Sequence, residues 1–271
     1  MGNNSIDNRI IIGLLFDGYR KRKMENRLYS RDDRIPKIII IEYLNLVERP
    51  SFNKFISLYK RNYILCESKV EPNFSIEEQQ GLADTYDYIN DFDFSKDEFN
   101  VFTTSLIIHM KLFSHCGDGS FGGCLRDSTA VLNDVNIDVV PAHIAKKVFN
   151  SYIPKKDYIL EKYKKGDIFG YIEDCIKLNV ELIKLQPFAD GNKRTFRSLL
   201  NLQLKLLNIP PIYIPAKERQ EYKKVLIKAI RDNDFKDIIQ FYYYKICDAI
   251  VTLDIKHSEI LENNDTKKNT L

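Results

Sequence analysis

The segment Gln186-Pro187-Phe188-Ala189-Asp190-Gly191-Asn192-Lys193-Arg194-Thr195-Phe196-Arg197 lies between two strongly helical stretches and decides how the chain is read. Pro187 stops the incoming helix, because its ring lacks a backbone N–H and clashes with the preceding turn. Gly191 and Asn192 open the next one. The first N–H groups of a helix have no partner within it, so they face outward as an anion site. Lys193, Arg194 and Arg197 add side-chain charge, and Arg194 and Arg197, three apart, share a face. A solvated polar turn would more often be acidic here, since basic residues oppose the helix dipole at an N-terminus. The cluster points to phosphate. Asp190 beside it fits if Mg²⁺ bridges a carboxylate and phosphate oxygens.

Outward from this segment, helical periodicity dominates. It predicts helices near 168–185 and 192–208 on either side. In the second, Phe196, Leu199 and Leu200 start an i, i+3, i+4 stripe that Leu206 and Leu207 resume. Leu202 and Leu204 widen the apolar surface, as expected of a helix central to its domain. Further helices are predicted near 7–26, 37–48, 53–66, 75–90, 96–114, 141–153, 217–231 and 233–255. One region breaks the pattern. Cys116 to Gly123 carries four glycines, and Ser128 to Val140 reads as a short hairpin around Asn133-Asp134. The chain divides into an N-terminal helical region, 1–94, a core, 95–255, and a polar tail, 256–271, expected to be disordered.

Composition excludes several classes. The 271 residues are 44% hydrophobic and carry a net charge of +3, so no whole-chain charge points to nucleic acid or an anionic membrane. The run Tyr19-Arg20-Lys21-Arg22-Lys23 reads as a solvated helix face, because Glu25, Asp32 and Asp33 follow closely. No stretch reaches the ~18 apolar residues of a membrane span. Ile6 stands where a myristoylation signal wants Ser or Thr. Five scattered cysteines lack metal-ligand spacing and read as reduced thiols, and the cytoplasm is the expected compartment.

The segment 186–197 resembles the signature of Fic-domain proteins, H-x-F-x-[DE]-G-N-[GK]-R-x-x-R, at every defined position except the first. The resemblance covers roughly residues 95–250, with a weaker echo from 64 to 80. It implies an all-α, Fic-type helical bundle with a small β-hairpin flap and an N-terminal helical extension. His109 to Phe113 resembles the helix ahead of that flap, and Gly123 to Arg126 its approach. By the same resemblance, Phe188 anchors the core and Asp190 holds Mg²⁺. Gly191, Asn192 and Lys193 form an anion hole. Arg194 takes the α- and β-phosphates of ATP or another nucleoside triphosphate. Arg197 takes the γ-phosphate or an inhibitory carboxylate. The implied activity is transfer of AMP to a Ser, Thr or Tyr hydroxyl of a target protein presented at the flap.

The departure is Gln186, where the family's general-base histidine stands. An amide is too weak a base to take a hydroxyl proton at neutral pH. Three readings follow: a nucleotide-binding pseudoenzyme, a different phosphate chemistry, or an engineered inactivation. His109, beside Ile108 and Leu112, reads as a core residue rather than a substitute base, and His115 is a weak candidate. The family's inhibitory pattern, [ST]-x-x-x-E-[GN], has two partial counterparts. Glu71, in Val70-Glu71-Pro72-Asn73, is favoured as the partner of Arg197, although Pro72 biases it away from helical angles. Glu262, in Ser258-Glu259-Ile260-Leu261-Glu262-Asn263, is the rival. A homo-oligomer is compatible with the sequence. Two other classes remain open: a non-enzymatic module that binds a peptide at the flap groove, and a nucleic-acid-binding regulator.

Overall fold

The computed structural model describes residues 17–19, 34–45, 52–70, 75–117, 121–130, 139–153 and 160–268. These residues are predominantly helical, and no strand is named among them. In chain order the helices are α1 (Arg34–Asn45), α2 (Phe52–Glu67), α3 (Ile76–Asp91), α4 (Val101–Leu112) and α5 (Ala142–Asn150). There follow α6 (Leu160–Lys164), α7 (Ile168–Leu185), α8 (Asn192–Lys205), α9 (Arg219–Asp232) and α10 (Lys236–Lys268).

Polar side chains set several of the boundaries. Ser75 and Glu78 form a reciprocal capping box at the start of α3, each side chain bonding the other's backbone N–H. Asn100 caps α4 by accepting from the N–H groups of Phe102 and Thr103. That cap explains why α4 starts at Val101 rather than at the 96 expected from periodicity. Asp167 caps α7 through the Gly170 N–H. The five-residue α6 carries too short a pattern to be read from periodicity.

The last helix differs from expectation. It extends to Lys268, past Lys256, where the polar tail was expected to begin. No glycine or proline lies between Lys236 and Lys268, so nothing in the chain breaks the backbone ladder. The expected hairpin centre falls within 131–138, and the basic run 20–23 also lies outside the described residues.

Helix α8 is the axis of the fold. Its residues from Thr195 to Leu204 are all buried, and it packs against α3, α4 and α7. Phe188, Phe196, Leu199, Leu200, Leu202 and Leu204 are at most 1% exposed. Helices α3 and α8 run side by side in the same direction, pinned at both ends. Glu78 meets Arg194 at one end, and the Lys205 ammonium caps the carbonyls of Asn90 and Phe92 at the other. The antiparallel α4 brings His109 and Phe113 to the N-terminus of α8. Gly81 allows the close approach of α3 and α4, since a Cβ there would lie 2.1 Å from the Leu112 carbonyl oxygen.

Candidate nucleotide site at the N-terminus of α8

Helix α7 ends at Gln186, which adopts a left-handed conformation, φ 49° and ψ 58°. Few non-glycine residues sit there, and Gln186 is held by four bonds. Its N–H donates to Leu182 O (3.2 Å). Its Nε2 donates to Ile183 O at 2.6 Å, and its Oε1 accepts from Asn192 Nδ2 at 2.9 Å. Its carbonyl accepts from Arg126 Nε at 2.5 Å. Asn192 in turn folds the loop over itself: Oδ1 accepts from the Phe188 N–H (3.0 Å) and Nδ2 donates to Phe188 O (2.8 Å).

Gly191 caps α8 with φ 71°, a conformation that favours glycine. A Cβ there would also lie 2.6 Å from the Phe113 ring. Unlike α3, α4 and α7, α8 has no capping side chain at its N-cap. The Asp190 carboxylate bonds the Gly191 N–H at 2.6 Å and remains 70% exposed. Asn192 and Arg194 are buried and Lys193 is half-buried on the first turn.

Both signature arginines face carboxylates. Arg194 pairs with Glu78, lies 3.3 Å from Asp190 Oδ2, and stacks its guanidinium over Phe113. Arg197 pairs with Glu67, at 2.9 Å from Nε and 2.8 Å from Nη2. Glu67 and Arg197 are 3% and 5% exposed, and the second oxygen of Glu67 accepts from the Ile214 N–H at 3.0 Å. The carboxylate described on Arg197 is Glu67. Glu71 lies outside the described residues, and the side chain of Glu262 is likewise not described. Glu67 is the last residue of α2 and meets Arg197 of α8. The sequence signal was present but weak, because Glu67 stands where the inhibitory pattern asks for Ser or Thr.

His109 is 1% exposed and belongs to the framework, as expected. Its Nδ1 accepts from the Gly123 N–H (2.8 Å), and its Nε2 faces Asp190 O (3.0 Å). Only the neutral ring with its proton on Nε2 satisfies both contacts. Burial pushes the imidazole down to about 4, in keeping with that form. The ring also stacks on Phe188, with centroids 3.9 Å apart and planes 10° from parallel. With both nitrogens engaged, His109 has no free lone pair to offer as a base. His115 pairs with exposed Asp84 at 2.7 Å. All five cysteines are thiols. No described helix is long and apolar enough to cross a membrane.

The sequence places Arg126 in the approach to the flap without a role at the site. The Arg126 backbone N–H donates to Pro187 O (2.9 Å), next to an isolated antiparallel bridge between Leu125 and Phe188. A single arginine ahead of a loop carries no periodicity, so its contacts are visible only in three dimensions.

Comparison with known proteins agrees with this geometry. A Fic/DOC family model matches residues 102–204. Protein adenylyltransferase Fic of Nematostella vectensis is 27% identical over 163 residues, covering 59% of this chain and 36% of that protein. Its counterpart in Aedes aegypti is 26% identical over 189 residues, 69% of this chain and again 36% of that protein. The chain thus spans about a third of the length of these curated relatives. Among solved structures, Fic-1 from C. elegans superposes with a TM-score of 0.62 at 16% identity, covering 90% of this chain and 87% of that one. A Fic-domain-containing signaling protein from Bacteroides thetaiotaomicron gives 0.65 at 15%, covering 86% and 97%. These structures share the helical fold. The similarity to the Fic/DOC family is thus carried by residues 102–204 of the chain.

Proposed function

We propose that the chain binds a nucleoside triphosphate with Mg²⁺ at the N-terminus of α8, and that it is an adenylyltransferase-type protein whose transfer step is impaired by Gln186. The observation that carries this reading is the first turn of α8. Its cap, Gly191, contributes no side chain, while Arg194 and the exposed Asp190 flank it. Outward-facing N–H groups, the helix dipole and a guanidinium fork together suit phosphate oxygens. Glu67 and Glu78 on the two arginines support the same reading, since a carboxylate bonds a guanidinium as a phosphate does.

The donor set suits Mg²⁺ of the kind held jointly by protein and phosphate. One exposed carboxylate, Asp190, is present, and no group of three acidic, His or Cys ligands occurs among the described residues. When bound, the ion would neutralise phosphate charge. In AMP transfer, a target hydroxyl oxygen bonds the α-phosphorus, the bond from that phosphorus to the bridging oxygen breaks, and diphosphate leaves. The hydroxyl proton needs an acceptor. Gln186 offers an amide already bonded to Asn192 and Ile183, which takes no proton. The target would be a protein segment meeting the surface near the ends of 128–140.

The buried Glu67–Arg197 pair favours a second reading, an interaction module that works without nucleotide. Calorimetric titration with ATP, with and without Mg²⁺, separates the two. The expected outcome is Mg²⁺-enhanced binding that Asp190→Ala reduces to the metal-free affinity. No binding under either condition supports the interaction module. An equal Mg²⁺ gain in Asp190→Ala removes that residue from the metal site.

A further inference from the structure

Arg126 is 3% exposed, and each of its three guanidinium nitrogens donates to a main-chain carbonyl. Nε donates to Gln186 O at 2.5 Å, Nη1 to Ser128 O at 2.7 Å, and Nη2 to Val140 O at 2.5 Å. Among the described residues it pairs with no carboxylate. A buried arginine is usually there for an ion pair, because a lone charge is costly to desolvate. This one instead gathers three carbonyls from parts of the chain that are far apart in sequence. Two of them, Ser128 and Val140, mark the ends of the segment that leads into α5. The third belongs to the left-handed residue that starts the phosphate loop.

We infer that Arg126 is a positioning residue, which fixes the backbone at position 186 against both ends of the 128–140 segment. The inference rests on the functional reading given above. Left-handed geometry at Gln186 turns its carbonyl towards Arg126 and its side chain towards Asn192. Loss of the guanidinium would leave that carbonyl without its donor and let the turn relax towards ordinary angles. The side chain at 186 would then swing away from the first turn of α8. The backbone bond from Arg126 to Pro187 places the same two strands of chain in register. A molecule docked beside Ser128 and Val140 would keep a set distance from residue 186 only while this clamp holds. Lysine cannot replace it, since one ammonium on a flexible stem does not reproduce a planar fork reaching three acceptors.

The test compares Gln186→His with Gln186→His/Arg126→Lys. Hydrogen–deuterium exchange is read at 124–128, 139–141 and 186–188, with 192–205 as the internal reference. Exchange in the first three stretches should speed up at least about 10-fold in the double variant, while 192–205 stays protected. ATP–Mg²⁺ affinity should stay within about 2-fold, and AMP transfer should fall about 10- to 100-fold, as expected for a misplaced reacting group. Unchanged exchange in the three stretches overturns the inference. So does faster exchange that includes 192–205 together with an equal loss of nucleotide affinity, because that marks general structural support. If Gln186→His itself transfers no AMP, the functional reading fails, and the exchange pattern alone decides for or against Arg126.

Discussion

Replacing Gln186 with histidine is expected to raise AMP transfer by at least about 10²-fold, the lower end of what a general base contributes. Residue 186 sits where α7 ends and the loop begins, and its side chain reaches Asn192 on the first turn of α8. An imidazole there, with an unperturbed pKa near ~6.5, accepts a hydroxyl proton at neutral pH. Apart from the Asn192 and Ile183 contacts of the Gln186 side chain, the loop is held by other groups. Gly191 caps the helix through its backbone, and Asn192 also closes the loop through Phe188. The readout is labelled AMP on the protein itself or on a cell extract, with CTP, GTP and UTP as parallel donors. A variant that binds ATP–Mg²⁺ yet transfers nothing, even when Arg197 is also released from Glu67, would show that more than one residue separates this chain from an active transferase.

Releasing Arg197 is the second large effect. Glu67→Gln keeps an oxygen for the Ile214 N–H and removes the charge that faces the guanidinium. Breaking one side of a buried ion pair leaves an uncompensated charge and typically costs about 3–5 kcal/mol. A loss of about 3 kcal/mol is expected, read as a lower Tm without ligand. ATP–Mg²⁺ then offers Arg197 a phosphate in place of the missing carboxylate. Ligand at about 100 times its Kd stabilises a folded protein by about 2.7 kcal/mol. The variant should bind more tightly than the parent and so recover more Tm at a fixed nucleotide concentration. Equal ligand-induced shifts in the two proteins would mean that Arg197 does not meet the nucleotide.

Much of the fold is legible in the sequence because the helices are long and periodic. The stripe through Phe196, Leu199 and Leu200 marks α8 as central, and those residues are at most 1% exposed. Pro187 and Gly191 mark the loop. What stays hidden depends on tertiary register. Glu67 and Glu78 reach Arg197 and Arg194 from 130 and 116 residues away, and no local pattern encodes that meeting. Arg126 reads as an ordinary charged residue until its three carbonyl partners are seen. The helical continuation to Lys268 was obscured by its polar composition, which resembles a tail although it contains no helix breaker.

Phosphate is expected to bind where Arg194 and the first turn of α8 meet. Calorimetric titration of ATP–Mg²⁺ into the parent chain and into Arg194→Ala tests it most directly. Arg194 is 6% exposed, lies against Phe113 and pairs with Glu78, so its removal takes away a guanidinium already aimed at the helix end. A hydrogen bond to a charged group contributes about 1.5–3 kcal/mol. Affinity should be at least about 10-fold weaker in Arg194→Ala, with the circular dichroism of the helices unchanged. Superimposable titration curves for the two proteins would contradict it.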